Sequence, residues 1–313
     1  MAWRQVLDLY DVLDSAEVDG EQVAALLRAA GVADVTVQRA HGERGYTDFV
    51  KAVIPGGRGK LAGGEAPTLG IIGRLGGLGA RPERIGFVSD GDGALAALAS
   101  ALKLGVMRGR GDVLPGDVIV PTHICPRAPV RPHEPVPFMG SPVSAAQMNQ
   151  HEVDPRMDAI LSIDTTKGNR IVNARGFAIS PTVLQGYILR VSEDLLDVMQ
   201  WVTGKPPVVF AITIQDITPY GNDVFHLNSI LQPAVAAQVP VVGVAITSEV
   251  PVPGSATGAT HLDDVEGAVR FALEVAKAFG AGQCRFHDPE EYARLVALYG
   301  DLRRFQTLGN RPA

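Results

Sequence analysis

The chain has 313 residues, 46% of them hydrophobic in type and 20% charged, a globular composition that excludes a disordered or fibrous protein. With 28 basic against 34 acidic side chains the net charge is −6, so the footprint of a nucleic-acid or anionic-membrane binder is missing. Two cysteines exclude a disulfide framework. Without an apolar N-terminal core or a long apolar run, a cytoplasmic protein is expected, with neither signal peptide nor membrane span.

Apolar spacing predicts helices over 3–14 and 21–31, with Gly31 as a C-terminal cap, and a short strand over 35–40. Residues 55–66 (PGGRGKLAGGEA) read as a glycine-rich loop. Short apolar runs then predict strands at 68–73, 84–89, 117–124, 159–164, 208–214 and 239–246. Helices are predicted at 92–105, 183–201, 223–238, 263–280 and 288–305, the last capped by Asp288 with Pro289 at its first position. The segment 125–142 is too dense in proline for a regular element. It is expected to be an extended lid or contact arm, and its Val/Pro content points to a homo-oligomer.

Apolar strands alternating with helices predict a three-layer α/β fold, a mostly parallel sheet with helices on both faces. The expected organisation is a helical and strand appendage at 1–55 packed on a single α/β domain at 56–313.

Ligands in open α/β sheets bind beyond the carboxyl ends of the strands, so the ionisable residues that end strands matter most. Asp90 and Asp92 follow one strand and open a helix. His123 and Cys125 end a second strand, and Asp164 ends a third. Glu249 lies just past a fourth, and His261 stands at the entry to the next helix. Imidazoles and carboxylates on one edge suit a divalent metal such as zinc or manganese. Each has a plainer reading too: Asp92 as a helix cap, His123 as a loop-bonding residue, Asp164 as a turn former, His261 as first-turn decoration. Asn222, Asp223 and His226 in the turn PYGNDVFHL could orient a substrate or cap a helix. GRLGGLG lacks the dinucleotide-binding spacing, GGRGK lacks that of a phosphate loop, and no GxSxG elbow occurs.

From Thr68 to about Gly280 these segments resemble the co-catalytic zinc aminopeptidases of the glutamyl-aminopeptidase and endoglucanase-like group. VSDGDGALAALASAL resembles the segment holding the bridging Asp, matched by Asp92 or, alternatively, Asp90. DAILSIDTTKG resembles the strand ending in a second ligand, matched by Asp164. PYGNDVFHL is similar to a Gly-Thr-Asp-Ala turn. GVAITSEVPVPGSATGATHLDDVEG resembles the segment with the last ligand, matched by His261. Where the family has Gly-His-x-Asp, this chain has Arg74 and Gly76; where it has paired glutamates, His123 is the nearest substitute; the family's inserted lid domain is absent. The chain also resembles an uncharacterised bacterial family of about its length.

The resemblance implies a metal-dependent hydrolase of small peptides or cyclic amides. Asp92, Asp164 and His261 would bind metal, His123 and Glu249 would act in catalysis, and Arg74, Asn222, Asp223 and His226 would hold substrate. Two alternatives stand beside it: a non-catalytic relative that binds an amino acid or peptide, and a metal-free lyase or racemase using His123 and Cys125.

Overall fold

The computed structural model describes residues 1–43, 45–74, 87–131, 138–218, 230–252 and 260–306. Four parallel strands form the centre of a nine-stranded sheet: β3 (Leu69–Gly73), β4 (Val118–Ile124), β7 (Ala159–Thr166) and β11 (Val241–Thr247). The hairpin of β1 (Asp34–Gly42) and β2 (Gly45–Ile54) extends one side, with β2 antiparallel to β4. On the other side β11 pairs antiparallel with β8 (Gly176–Ile179) and with β9 (Val183–Leu184), which pairs with β10 (Tyr187–Ile188).

Alternation along the central strands sends two sets of side chains to opposite faces. Ile71, Leu161, Ile163, Val242 and Val244 enter the larger core. They meet α1 (Trp3–Leu13), α2 (Gly20–Ala29), α3 (Asp92–Gly109), α5 (Glu193–Thr203) and α6 (Leu262–Gly280). Ile72, Ile119, Ile160 and Ala245 enter the second core, closed by Phe210, Ile217, Ile230 and Leu231. The helix α4 (Ala145–Glu152) contacts β2 and β4 there. Helix α3 is buried almost all round, as its run of alanine and leucine dictates, and lies between the sheet, α1 and α6. Among the described residues no helix is long and apolar enough to cross a membrane.

Several elements differ from expectation. Strand β2 and helix α4 were not foreseen; α4 opens with a reciprocal capping box between Ser144 and Gln147. Residues 183–201 begin with the β9–β10 hairpin, whose turn holds Gln185 at φ 48° and Gly186 at φ 88°, and only then continue as α5. The run 208–214 makes one bridge, Val209 to Ile179, and then a 3-10 turn at Ile214–Ile217. Thr213 and Asp216 cap that turn reciprocally, and the edges of β11 are already taken by β7, β8 and β9. Phe87 and Val88 are not in a strand either; a 3-10 turn follows at Ser89–Gly91. Of the helix expected at 223–238, the part before 230 lies outside the described residues, and the rest is a 3-10 turn at Gln232–Val235. The last helix, α7 (Pro289–Tyr299), stops at Gly300, whose φ of 79° ends it. The proline-dense segment does form regular structure: β5 (Val130–Arg131) pairs with β6 (Phe138–Met139). The lid assigned to this segment has residues 132–137 outside the described set.

The glycine-rich loop is built around one carboxylate. Asp117, buried at the start of β4, accepts hydrogen bonds from Gly56 N (2.8 Å) and Leu61 N (2.9 Å). A Cβ on Gly59 would fall 2.0 Å from Asp117 Oδ1, so only glycine allows the wrap. Replacing Asp117 by Ala leaves two N–H groups without acceptors and is expected to cost about 2 kcal/mol or more, read from urea unfolding midpoints. An unchanged midpoint would show that the loop is held by other contacts.

Candidate functional site at the carboxyl edge of the sheet

Register places the polar strand ends in one row. Gly73 pairs with Thr122 on one side and Ile163 on the other, so the next residues, Arg74, His123 and Asp164, are neighbours across three strands. Helix α3 starts against this row. A Cβ on Gly93 would lie 2.5 Å from the carbonyl oxygens of both Arg74 and Ile163, so glycine lets the helix N-terminus touch the strand ends. Asp92, at the first position of that helix, caps nothing: Gly91 is the cap residue and no side chain bonds the free N–H groups. The plain capping reading of Asp92 is therefore set aside.

Two charged groups result. The first is balanced. Arg74 Nη1 donates to Glu152 Oε2 at 2.5 Å, with side chains 1% and 0% exposed, and lies 3.4 Å from Asn149 Oδ1. His123 Nδ1 stands 2.6 Å from Glu152 Oε1. Burial alone would push the Glu152 carboxyl up, but Arg74 and His123 outweigh it and hold it below its ordinary value. An ionised Glu152 takes the proton on His123 Nδ1 as a hydrogen bond, which leaves Nε2 as the basic nitrogen. Arg74 thus meets an internal carboxylate, and any substrate carboxylate must compete with Glu152.

The second group gathers carboxylates around Lys167. Lys167 Nζ lies 2.8 Å from Asp92 Oδ2, the two side chains being 3% and 0% exposed. The contact is a buried ion pair at charge-assisted hydrogen-bond length, and the Thr260 hydroxyl also acts on Asp92. Burial pushes the Asp92 carboxyl up, opposed by Lys167, Thr260 and His261. Asp90 is pushed up to about 7 by burial and by the charges of Asp164 and Asp92, with Lys167 opposing. Asp164 Oδ1 accepts from Thr165 N at 2.7 Å. The charges of Asp90, Asp92, Asp164 and Lys167 are therefore coupled. Gly168 aims it: at φ 57°, a Cβ there would meet Val250 O at 2.1 Å, so the chain turns sharply behind Lys167 against the loop after β11.

Of the residues singled out in the sequence, Arg74, His123 and Asp164 share the row, and Asp90, Asp92 and Asp164 share the second group. His261 is exposed at the start of α6, near enough to act on the charge of Asp92. Glu249 is exposed on the loop after β11, and among the described residues nothing pairs with it. Asn222, Asp223 and His226 lie outside the described residues. Cys125 is buried, its Sγ donates to Tyr46 O at 3.5 Å, and burial pushes the thiol up to about 11, opposite to activation. The thiol-based lyase or racemase reading is corrected on that ground. Glu152 and Lys167 were missed.

A divalent metal was the expected cofactor, and the donor set argues against a fit. Among the described residues no three His, Cys, Asp or Glu side chains converge as a metal requires, and a charged amine stands on Asp92. A cation repels a metal from the ligand it already neutralises.

The sheet order, the helix layers and the polar carboxyl edge define an aminopeptidase-like α/β fold. The LapA aminopeptidase of Legionella pneumophila matches with a TM-score of 0.50 and 10% identity, over 90% of this chain and 70% of that chain. The likeness is one of fold. Residues 38–309 match the family described as "Protein of unknown function (DUF1177)", and the chain belongs to that family. No curated protein matches the sequence.

Two outcomes follow from the site's charges. Glu152→Ala strands Arg74 in the core and is expected to cost about 3–5 kcal/mol in urea unfolding, while Arg74→Met with Glu152→Leu recovers much of that loss. The folded chain holds the Asp90 proton up to pH about 7, whereas an ordinary Asp releases it near 3.8. This group therefore makes stability fall as pH rises between those values and level off above. Asp90→Asn is expected to remove that decline, measured as urea midpoints at acid and neutral pH.

Proposed function

We propose that this chain binds a free amino acid or the amino end of a short peptide at the carboxyl edge, as a ligand-binding relative of the aminopeptidase fold. One observation carries the reading: the Lys167 ammonium stands 2.8 Å from Asp92 Oδ2 in a buried site, and the charges of Asp90 and Asp164 act on the same place. A buried group of this kind calls for a ligand or ordered water. A zwitterion matches both signs. Its ammonium would meet the carboxylate of Asp90 on the solvent side, and its carboxylate would take a hydrogen bond from Lys167. Asp90, only half-buried, and the exposed His261 mark the solvent side of the group.

Metal-dependent hydrolysis of small peptides or cyclic amides is the second reading. The likeness of the fold to an aminopeptidase favours it, although the described donors do not converge on one point. In that reading Asp92, Asp164 and His261 would be the residues to hold zinc or manganese, whose Lewis acidity would be the chemistry supplied. His123, oriented by Glu152, would accept a proton at Nε2, and Glu249 would be a second base. A small molecule or peptide is the expected partner in both readings, and a homo-oligomer is proposed on the same footing as before.

The test is calorimetry and thermal shift with amino acids and dipeptides, each paired with its N-acetyl form. Free amines are expected to bind and raise the melting temperature, N-acetyl forms are not, and Asp164→Asn is expected to abolish the effect. Equal response to both forms, or to neither, overturns the proposal. Dipeptide cleavage that needs added zinc or manganese and is lost in Asp164→Ala and His261→Ala would establish the second reading instead.

A further inference from the structure

We propose that β1 is a self-pairing edge: two copies of this chain join along it, antiparallel, with Gln38 of one opposite Gln38 of the other, so that one sheet runs through both. The surface involved holds none of the residues offered to an amino acid, so pairing and amino-acid binding are independent of each other. The two edges of the sheet are built differently. At one, β10 has only two residues, and its Tyr187 packs against Tyr292 and Leu295 of α7. A short, covered edge resists pairing. At the other, β1 runs for nine residues in unbroken register with β2. Lysine, proline or a bulge ordinarily guards such an edge, and β1 has none of these. Its one arginine, Arg39, is tied back to Asp48 of its own hairpin by Nε at 2.7 Å and Nη2 at 2.9 Å.

The backbone of β1 is free on its outer side. Val35 O accepts from Arg28 Nη2 at 2.8 Å, so the Val35 backbone points away from β2. Alternation turns Val37, Arg39 and His41 the same way. Outside the hairpin ladder, none of these three makes a backbone hydrogen bond among the described residues. A second copy supplies the missing partners. The pairing must be centred on a residue, because only then do outward-facing groups meet outward-facing groups. Centring on Gln38 uses the whole strand: Asp34 then faces Gly42, Val35 faces His41 and Val37 faces Arg39. No charge meets a like charge, and the two exposed Gln38 amides, each both donor and acceptor, meet on the two-fold axis. Centring on Arg39 would set guanidinium against guanidinium. The strand is thus complementary to itself, which commits the edge to a second copy rather than to a foreign strand.

The experiment is sedimentation velocity on the full-length chain across the micromolar range, with Gln38→Lys and Gln38→Cys beside it. The natural chain is expected to be a dimer. Gln38→Lys sets two ammonium groups face to face and is expected to raise the dissociation constant at least about tenfold, with the circular dichroism of the chain unchanged. The Gln38 pair is of the non-hydrogen-bonded kind, with Cα atoms about 4.5 Å apart, so Gln38→Cys is expected to link two chains under mild oxidation. Thr36→Cys, whose two copies would lie roughly 14 Å apart, is expected not to link them. The natural thiols, Cys125 and Cys284, are buried and give no background. A natural chain that stays monomeric at every concentration overturns the proposal. So does a dimer whose dissociation constant Gln38→Lys leaves unmoved, or one in which Thr36→Cys links as readily as Gln38→Cys.

Discussion

The contact of Gly93 with the ends of two strands governs the carboxyl edge. A helix N-terminus carries partial positive charge and free N–H groups, and it ordinarily stands off from strand ends by at least the thickness of a side chain. Here glycine removes that thickness, and the carbonyls of Arg74 and Ile163 lie against the helix backbone. Asp92 is thereby drawn out of reach of solvent, and a buried carboxylate must be neutralised or left protonated. The Lys167 ion pair, the raised Asp90 and the turn at Gly168 all answer that one requirement.

The two charged groups on this edge show opposite solutions to burial. Around Glu152 each partner fits: guanidinium on one oxygen, imidazole on the other, and a carboxylate held below its ordinary value. Around Asp92 the fit is incomplete, with carboxylates raised and polar atoms unsatisfied. Arg74 Nε nevertheless has no partner among the described residues, so neither group satisfies every buried polar atom.

Much of the edge was legible in the sequence because strand ends are legible. A buried parallel strand is a short apolar run, and the first polar residue after it lands on the carboxyl edge whatever the side chain. That logic found Arg74, His123, Asp92 and Asp164. It missed Lys167, because TTKGN after a strand reads as a solvated turn; the signal was the following glycine. Glu152 escaped because α4 is short and polar all round, so no apolar stripe announced it. The run 208–214 looked like a strand by composition, yet it pairs only with Ile179 of β8 before Thr213 and Asp216 turn it aside.

A counter-ion carried on a side chain differs from a bound one in where its occupancy comes from. Metal sites fill according to the ions a cell holds free and the affinities of every competing ligand. The Lys167 ammonium is present once per chain from the moment of folding, at a concentration set by geometry rather than by supply. No chelator can strip it and no scarcity can empty it. Its cost is rigidity of composition: one charge, one position and no exchange, so the pocket cannot be tuned by swapping one metal for another.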